Sequence, residues 1–154
     1  MFGLLALALA VSPVHFQTAT GWHVRSQPAH ACPGVSASRC VESWGSASTV
    51  RYRDCPDCVP PHRTLGSLPA NGILIQLSNA RERPARAPLG RWPVRIRRKD
   101  LIAGGGEGIP RHIGYGEWFV RSHGVEHYLW VWFGRSHPTR QQLARANAEL
   151  RRAR

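Results

Sequence analysis

The chain has 154 residues, 42% of them hydrophobic, which fits a single domain with a core of its own. Its 15 Gly and 12 Pro predict many turns and exclude an architecture of long helices, and its hydrophobic content excludes a wholly disordered chain. The formal net charge of +12 makes this a basic protein and favours contact with polyanions. Because Lys99 is the single lysine, we attribute part of the arginine excess to a GC-rich genome.

An uncharged apolar run at residues 2–11 opens the chain. The run is shorter than the ~20 residues of a membrane-spanning helix and is typical of the hydrophobic region of a signal peptide. We therefore expect residues 1–20 to be a signal peptide or a truncated membrane anchor. Residues 21–154 would then be one extracytoplasmic domain, secreted or membrane-anchored. The alternative is a buried N-terminal helix or strand. The candidate cleavage sites are Ala8-x-Ala10 and Thr18-x-Thr20.

A short strand is predicted at residues 21–26, where Trp22 and Val24 alternate with polar side chains. A cysteine-bearing loop region follows at residues 27–62. An even, clustered cysteine count in an exported domain predicts two disulfides, and three pairings are possible. The cysteines are Cys32, Cys40, Cys55 and Cys58.

A zinc site is the alternative use of these cysteines, since Cys55 and Cys58 have C-x-x-C spacing and His30 or His62 could complete the ligands. No other cofactor is expected. A redox role would need a helix directly after the motif to lower the pKa of a thiol, and Val59-Pro60-Pro61 prevents one.

Three central segments have the pattern of strands. Residues 49–53 are a short candidate, residues 73–77 form an apolar run typical of an inner strand, and residues 92–97 alternate apolar with basic side chains. Pro93 places the last of these at a sheet edge or at its own start. The glycine-rich residues 104–108 predict a flexible loop.

The C-terminal third predicts a β-hairpin and a helix. Residues 117–122 and 125–133 flank His123-Gly124, and the second arm places aromatic side chains on both faces, so that both faces are covered or one meets a ligand. Residues 139–142 (TRQQ) fit a capping box that begins a helix of about 13 residues. The expected fold is therefore α+β: an antiparallel sheet of about five or six short strands with a C-terminal helix packed on one face.

A basic stretch at residues 81–99 contains one acidic residue before position 100, and Trp92 could stack on a base or a sugar. The plainer interpretation is a solvated loop followed by an arginine-decorated strand. Its cations are Arg81, Arg83, Arg86, Arg91, Arg95, Arg97, Arg98 and Lys99.

Catalytic motifs are not evident. No G-x-S-x-G sequence surrounds Ser36, Ser46 or Ser67, the acidic residues are scattered along the chain, and the eight histidines are interpreted as solvent-exposed. The leading hypothesis is a non-enzymatic extracytoplasmic domain that serves as an envelope interaction module. The alternative is a polyanion-binding protein, for nucleic acid or an anionic envelope polymer, acting through residues 81–99 and the C-terminal helix. Anionic envelope components are the expected partners, and no small-molecule substrate is indicated.

Two short motifs carry a resemblance. Leu68-Pro69-x-x-Gly72-Ile73-Leu74-Ile75 and Val131-x-Phe133-Gly134-x-x-x-Pro138-Thr139 resemble small uncharacterised secreted or membrane-anchored proteins of high-GC bacteria. The order of an early Trp, a central antiparallel sheet and a final strand-turn-helix is more distantly similar to PsbP-like domains. The first resemblance implies location and layout, and neither implies a functional residue.

Overall fold

The computed structural model describes residues 14–31, 41–55, 58–79 and 83–153. Most of the expected leader, residues 1–13, therefore lies outside the described residues, as do Cys32, Cys40 and Arg81. Seven strands, two α-helices and one 3₁₀ turn follow each other along the described chain. In order these are β1 (His23–Ala31), β2 (Val41–Ser48), α1 (His62–Gly66), β3 (Ile73–Asn79), β4 (Leu89–Arg91), η1 (Arg98–Asp100), β5 (Ile102–Ala103), β6 (Gly114–Ser122), β7 (Val125–Phe133) and α2 (Arg140–Arg152).

The strands form one open, mostly antiparallel sheet in the order β1-β2-β3-β7-β6-β4, with β5 paired to β6 off this path. Only the β4–β6 pairing is parallel among the described strands. The α+β class with a C-terminal helix is thereby confirmed. The sheet has more strands than the five or six expected, because β4 and β5 are three and two residues long and are too short for a sequence pattern.

The centre of the sheet is β3 paired with β7, as the apolar run at residues 73–77 predicts. Five consecutive β3 residues are buried, because the strand has a neighbour on each edge and packing on both of its faces. Alternate side chains define two faces. The first face carries Ile73, Ile75 and Phe133, and the second carries Leu74, Trp130 and Trp132.

The predicted hairpin is the β6–β7 pair. Ser122 pairs with Val125, so His123 and Gly124 are the two central residues of the turn. Both have positive φ, 48° at His123 and 82° at Gly124, which is the conformation of a type I′ turn. The register fixed by this turn puts Phe119 opposite Tyr128 and Glu117 opposite Trp130.

The predicted helix is α2, and its start is set by the capping box. Thr139 Oγ1 accepts from the Gln142 backbone N–H at 3.1 Å, while Gln142 Oε1 accepts from the Thr139 N–H at 3.0 Å. Gln142 also donates to Ala70 O at 3.1 Å, which connects the start of the helix to the turn before β3. The 13 residues of α2 match the predicted length.

The region expected to be a cysteine-bearing loop, residues 27–62, is partly wrong as a prediction. β1 continues to Ala31, and β2 occupies Val41–Ser48. The β2 sequence has no apolar alternation from which a strand could be predicted. Its small residues are nevertheless buried, because neighbouring elements pack against both faces of the strand. Gly45, for example, has the Phe16 ring 3.3 Å from where a Cβ would stand.

Two other predicted strands are not strands. Residues 49–53 follow β2 as irregular chain, and residues 92–97 lie outside the sheet beyond β4. The apolar side chains at residues 92–97 do face the core, but they do so from an extended segment that is not part of the sheet. The backbone N–H and C=O of Ile96 bond to the Asn147 side chain at 2.8 and 3.0 Å instead of to a strand.

Two apolar clusters use the two faces. One contains the first-face residues of β3 and β7 together with Ala146 and Leu150 of α2. The other contains Leu65 of α1, Trp132 and Trp44. Val14 and Phe16 also belong to the first cluster, with 5% and 7% of their surface exposed. A leader that ended at residue 20 would therefore carry two buried side chains with it.

Candidate polyanion-binding surface

The structure divides the predicted basic stretch into two groups. Arg83, Arg86 and Arg91 lie with the loop and strand at the β4 edge of the sheet. Arg83 is largely engaged there, because its guanidinium bonds to Glu126 at 3.2 Å and to Ala87 O at 2.6 Å. Arg83 is therefore a poorer candidate for an external anion than the exposed cations that follow it, whereas Arg86 and Arg91 are exposed but lie apart from α2.

The second group follows α2 closely. The Trp92 indole donates to Ala153 O at 3.1 Å at the end of the helix, Ile96 bonds to Asn147 in its middle, and Arg98 donates to Pro138 O at 3.0 Å before its start. Residues 92–98 thus run antiparallel to α2 along its whole length. Ile96 is buried between them, while Arg95, Arg97, Arg98 and Lys99 are exposed.

Helix geometry decides which α2 arginines join them. At about 100° per residue, Arg140 and Arg151 lie within about a twentieth of a turn of each other and next to Asn147. Both are exposed on the flank that faces residues 92–98. Arg145 and Arg152 occupy the other flank, where Arg145 lies over the Trp22 ring at 5.1 Å and Arg152 pairs with Glu149.

We define the basic surface by the exposed cations of this junction. They are Arg95, Arg97, Arg98, Lys99, Arg140 and Arg151. Asp100 is the acid paired with it, through Arg97 at 3.3 Å. Asp100 offsets one of the six positive charges, so the basic surface keeps a formal net charge of +5. The rest of the surface has no ion pair among the described residues, and its charge faces solvent.

The cysteine predictions are resolved for one pair. Cys55 and Cys58 form a disulfide. The loop that carries them is held to the protein through Tyr52, whose hydroxyl donates to Cys55 O at 3.0 Å. Cys32 and Cys40 lie outside the described residues, so the second predicted disulfide stays a prediction. Within the described ranges, no three His, Cys, Asp or Glu side chains are grouped to hold a metal ion.

One histidine departs from the prediction of exposed histidines. His127 is 1% exposed, and neither of its ring nitrogens has a hydrogen-bond partner among the described residues. Burial, reinforced by the charge of nearby His123, lowers the pKa of His127 to about 4. The residue is therefore a neutral core group at physiological pH and no part of a surface site.

The nearby Glu126 carboxylate is shifted as well. The hydrogen bond from Arg121 lowers the pKa of Glu126, and Arg83 acts in the same direction. This small network occupies Arg83 and Arg121 with a partner inside the molecule.

No family model matches this chain, and no curated protein or solved structure is significantly similar to it. No helix in the described ranges is both long enough and apolar enough to cross a membrane. The function therefore has to be inferred from the geometry of the chain itself.

Proposed function

We propose that this protein is an extracytoplasmic interaction module that binds an anionic polymer of the cell envelope through the basic surface. The observation that carries the proposal is the pair of hydrogen bonds between Ile96 and Asn147, at 2.8 and 3.0 Å. They bring two basic segments, residues 95–99 and 140–151, onto one stretch of surface. The proposal assigns no catalytic residue.

The backbone that carries these cations is held in place by packing and hydrogen bonds, which favours a binding surface over solvated charges without a ligand. In this proposal α2 covers the first face of the sheet, where Ala146 and Leu150 share a buried cluster with Ile73 and Phe133. The extended segment is anchored to α2 at both ends and in the middle. The backbones that carry the cations are consequently ordered before a ligand arrives, which lowers the entropy cost of binding.

The spread of the charges favours a polymer over a small anion. The six cations lie along a helix of 13 residues, and a helix of that length extends about 20 Å. A polyanion can meet several of them at once and release its condensed counterions, whereas a single phosphate would meet one or two.

The proposed extracytoplasmic location favours envelope polymers over nucleic acid as the natural polyanion. The apolar residues 2–11 and the Cys55–Cys58 disulfide both support export, because disulfides persist mainly in oxidising compartments. Outside the cytoplasm the abundant polyanions are phosphate-rich or uronate-rich envelope polymers. Nucleic acid shares the phosphodiester chemistry and serves as a convenient probe of the same surface.

The test is a binding measurement on matched charge variants. We expect the triple variant Arg95→Gln/Arg140→Gln/Arg151→Gln to lose at least about tenfold in affinity for immobilised heparin at about 0.1 M salt. The control triple variant is Arg53→Gln/Arg63→Gln/Arg111→Gln. It removes the same net charge from exposed arginines outside the basic surface, and we expect it to bind nearly as well as the wild type.

Equal losses in the two triple variants would show that net charge alone drives retention and would contradict the proposal. Absence of heparin binding by the wild-type protein would do the same. Thermal unfolding of each variant confirms that the exposed substitutions leave the fold intact.

A further inference from the structure

The second face of the sheet carries a cleft that the basic surface does not explain. Its floor is a row of aromatic rings on β6 and β7: Phe119 stacks on Tyr128 with centroids 4.5 Å apart, and Tyr128 contacts Trp130 at 3.7 Å. The Trp130 and Trp132 planes lie within 7° of parallel. Phe119, Tyr128 and Trp130 are only half-buried, although such large rings are normally covered.

Two adjoining cavities lie over this row, of about 360 and 410 Å³. Glu117 and Tyr128 line both, so the cavities adjoin at this hydrogen-bonded pair, and we call the two together the cleft. Residues 87–90 wall one end, and Val59, Pro60 and the loop carrying Glu107 wall the other. Each volume lies in the range of about 300 to 1,000 Å³ that is typical of small-molecule sites.

The polar groups of the cleft are unusual for this chain. Among the acids whose side chains the structure describes, Asp100, Glu126 and Glu149 pair with arginines, and Asp54 accepts from two backbone N–H groups in the first turn of α1. Glu107 and Glu117 have no basic partner among the described residues, and both line the cleft. A protein with a net charge of +12 therefore presents an acidic, aromatic cavity on this face.

Tyr128 supplies the hydroxyl group of the cleft. The Tyr128 hydroxyl donates to Glu117 Oε2. Burial, that hydrogen bond and the charges of Glu117 and Glu107 hold the pKa of Tyr128 above its usual value, so the phenol stays neutral. Trp132 beneath it is fully buried, and its indole nitrogen has no surface open to the cleft.

We infer that this cleft binds an uncharged saccharide. The flat apolar face of a pyranose ring suits the row of Phe119, Tyr128 and Trp130. Its hydroxyl groups donate to the Glu117 and Glu107 carboxylates, which have no basic partner among the described residues. A simple metal cation would bind the carboxylates but would leave the row of half-buried rings uncovered. An acidic sugar would be repelled by two carboxylates without basic partners.

The experiment titrates the full chain with chitotetraose, cellotetraose and maltotetraose and follows tryptophan fluorescence and calorimetric heat. We expect at least one of them to bind. Glu117→Gln should weaken that saccharide about tenfold, because it removes the charge that strengthens the hydrogen bonds and leaves the shape unchanged. Trp130→Ala should also weaken it, because it removes one of the half-buried rings against which the sugar would stack. The matched control Asp100→Asn, an acid-to-amide change on the basic surface, should leave binding unchanged.

Tetramethylammonium is the competing probe. Binding of this cation without binding of any of the three saccharides would overturn the inference, as would saccharide binding that Glu117→Gln and Trp130→Ala leave unchanged. No response to any probe would overturn it too. Failure of this inference would leave the proposed function standing, because Glu117 and Trp130 line the cleft and are not part of the basic surface.

Discussion

His127 lies inside the sheet, opposite Val120 on β6 and Asn79 on β3. Its pKa is about 4 in the folded protein against about 6.5 in the unfolded chain. The unfolded state therefore binds a proton that the folded state refuses, and stability must fall as pH decreases from about 6.5 to about 4. The difference corresponds to about 3 kcal/mol in the free energy of unfolding.

The check is urea denaturation at pH 7 and pH 4.5 of the wild type and of His127→Leu, which cannot titrate at this position. The wild type should lose most of that free energy between the two pH values, beyond any loss shared with the variant. Parallel losses in both proteins would show that other groups cause the acid sensitivity.

At the scale of elements, the start of α2 depends on a local motif. Thr139→Ala removes the acceptor of the Gln142 N–H, and we expect the free energy of unfolding to fall by about 1 kcal/mol. Thr139→Ser keeps the hydroxyl and should change the free energy of unfolding by no more than a few tenths of 1 kcal/mol in either direction. If denaturation curves show the same loss for both variants, the hydroxyl is not what stabilises the helix start.

The segment before β1 offers a second test at this scale. Phe16 is 7% exposed and lies against Gly45, so Phe16→Ala should reduce the free energy of unfolding by about 3 kcal/mol. The neighbouring His15 is exposed, and His15→Ala should change it by less than about 0.5 kcal/mol. Equal effects would mean that residues 14–16 are not part of the packed domain.

Local signals explain which elements were predictable. Three elements are specified by residues within the element itself, and the structure confirms all three. They are the turn at His123-Gly124, the helix start at the TRQQ capping box and the apolar run of β3. β2 was not predicted because its small and polar residues show no apolar pattern, and only the folded structure reveals that neighbouring elements bury them. Residues 92–97 have the alternation of a strand, yet their partner is a helix side chain.

The residues of the cleft are likewise only partly predictable from the sequence. The aromatic faces of β7 are visible in the sequence and raised the alternative of a ligand on one face. Glu107 and Glu117, by contrast, look like scattered acids until the sheet brings them to one cavity. Similarly, Arg95 and Arg140 share a surface only because Asn147 holds the two segments together.

At the scale of the whole molecule, two surfaces of opposite character divide the binding functions that we propose. The basic surface beside α2 would hold an anionic polymer. The cleft on the second face, with Glu117 at its centre, would take an uncharged sugar. An envelope contains both kinds of polymer, so one domain with these two surfaces could connect them.

The most direct test of polyanion binding is the salt dependence of affinity for a labelled oligothymidylate. The slope of log K against log salt reports the number of phosphate contacts, at about 0.7 per contact for a single strand. We predict that Arg95→Gln/Arg140→Gln/Arg151→Gln makes the slope shallower by about 2 than in the wild type. The control Arg53→Gln/Arg63→Gln/Arg111→Gln should keep the wild-type slope. A slope unchanged in the first variant, or equally reduced in both, would contradict a binding site on the basic surface.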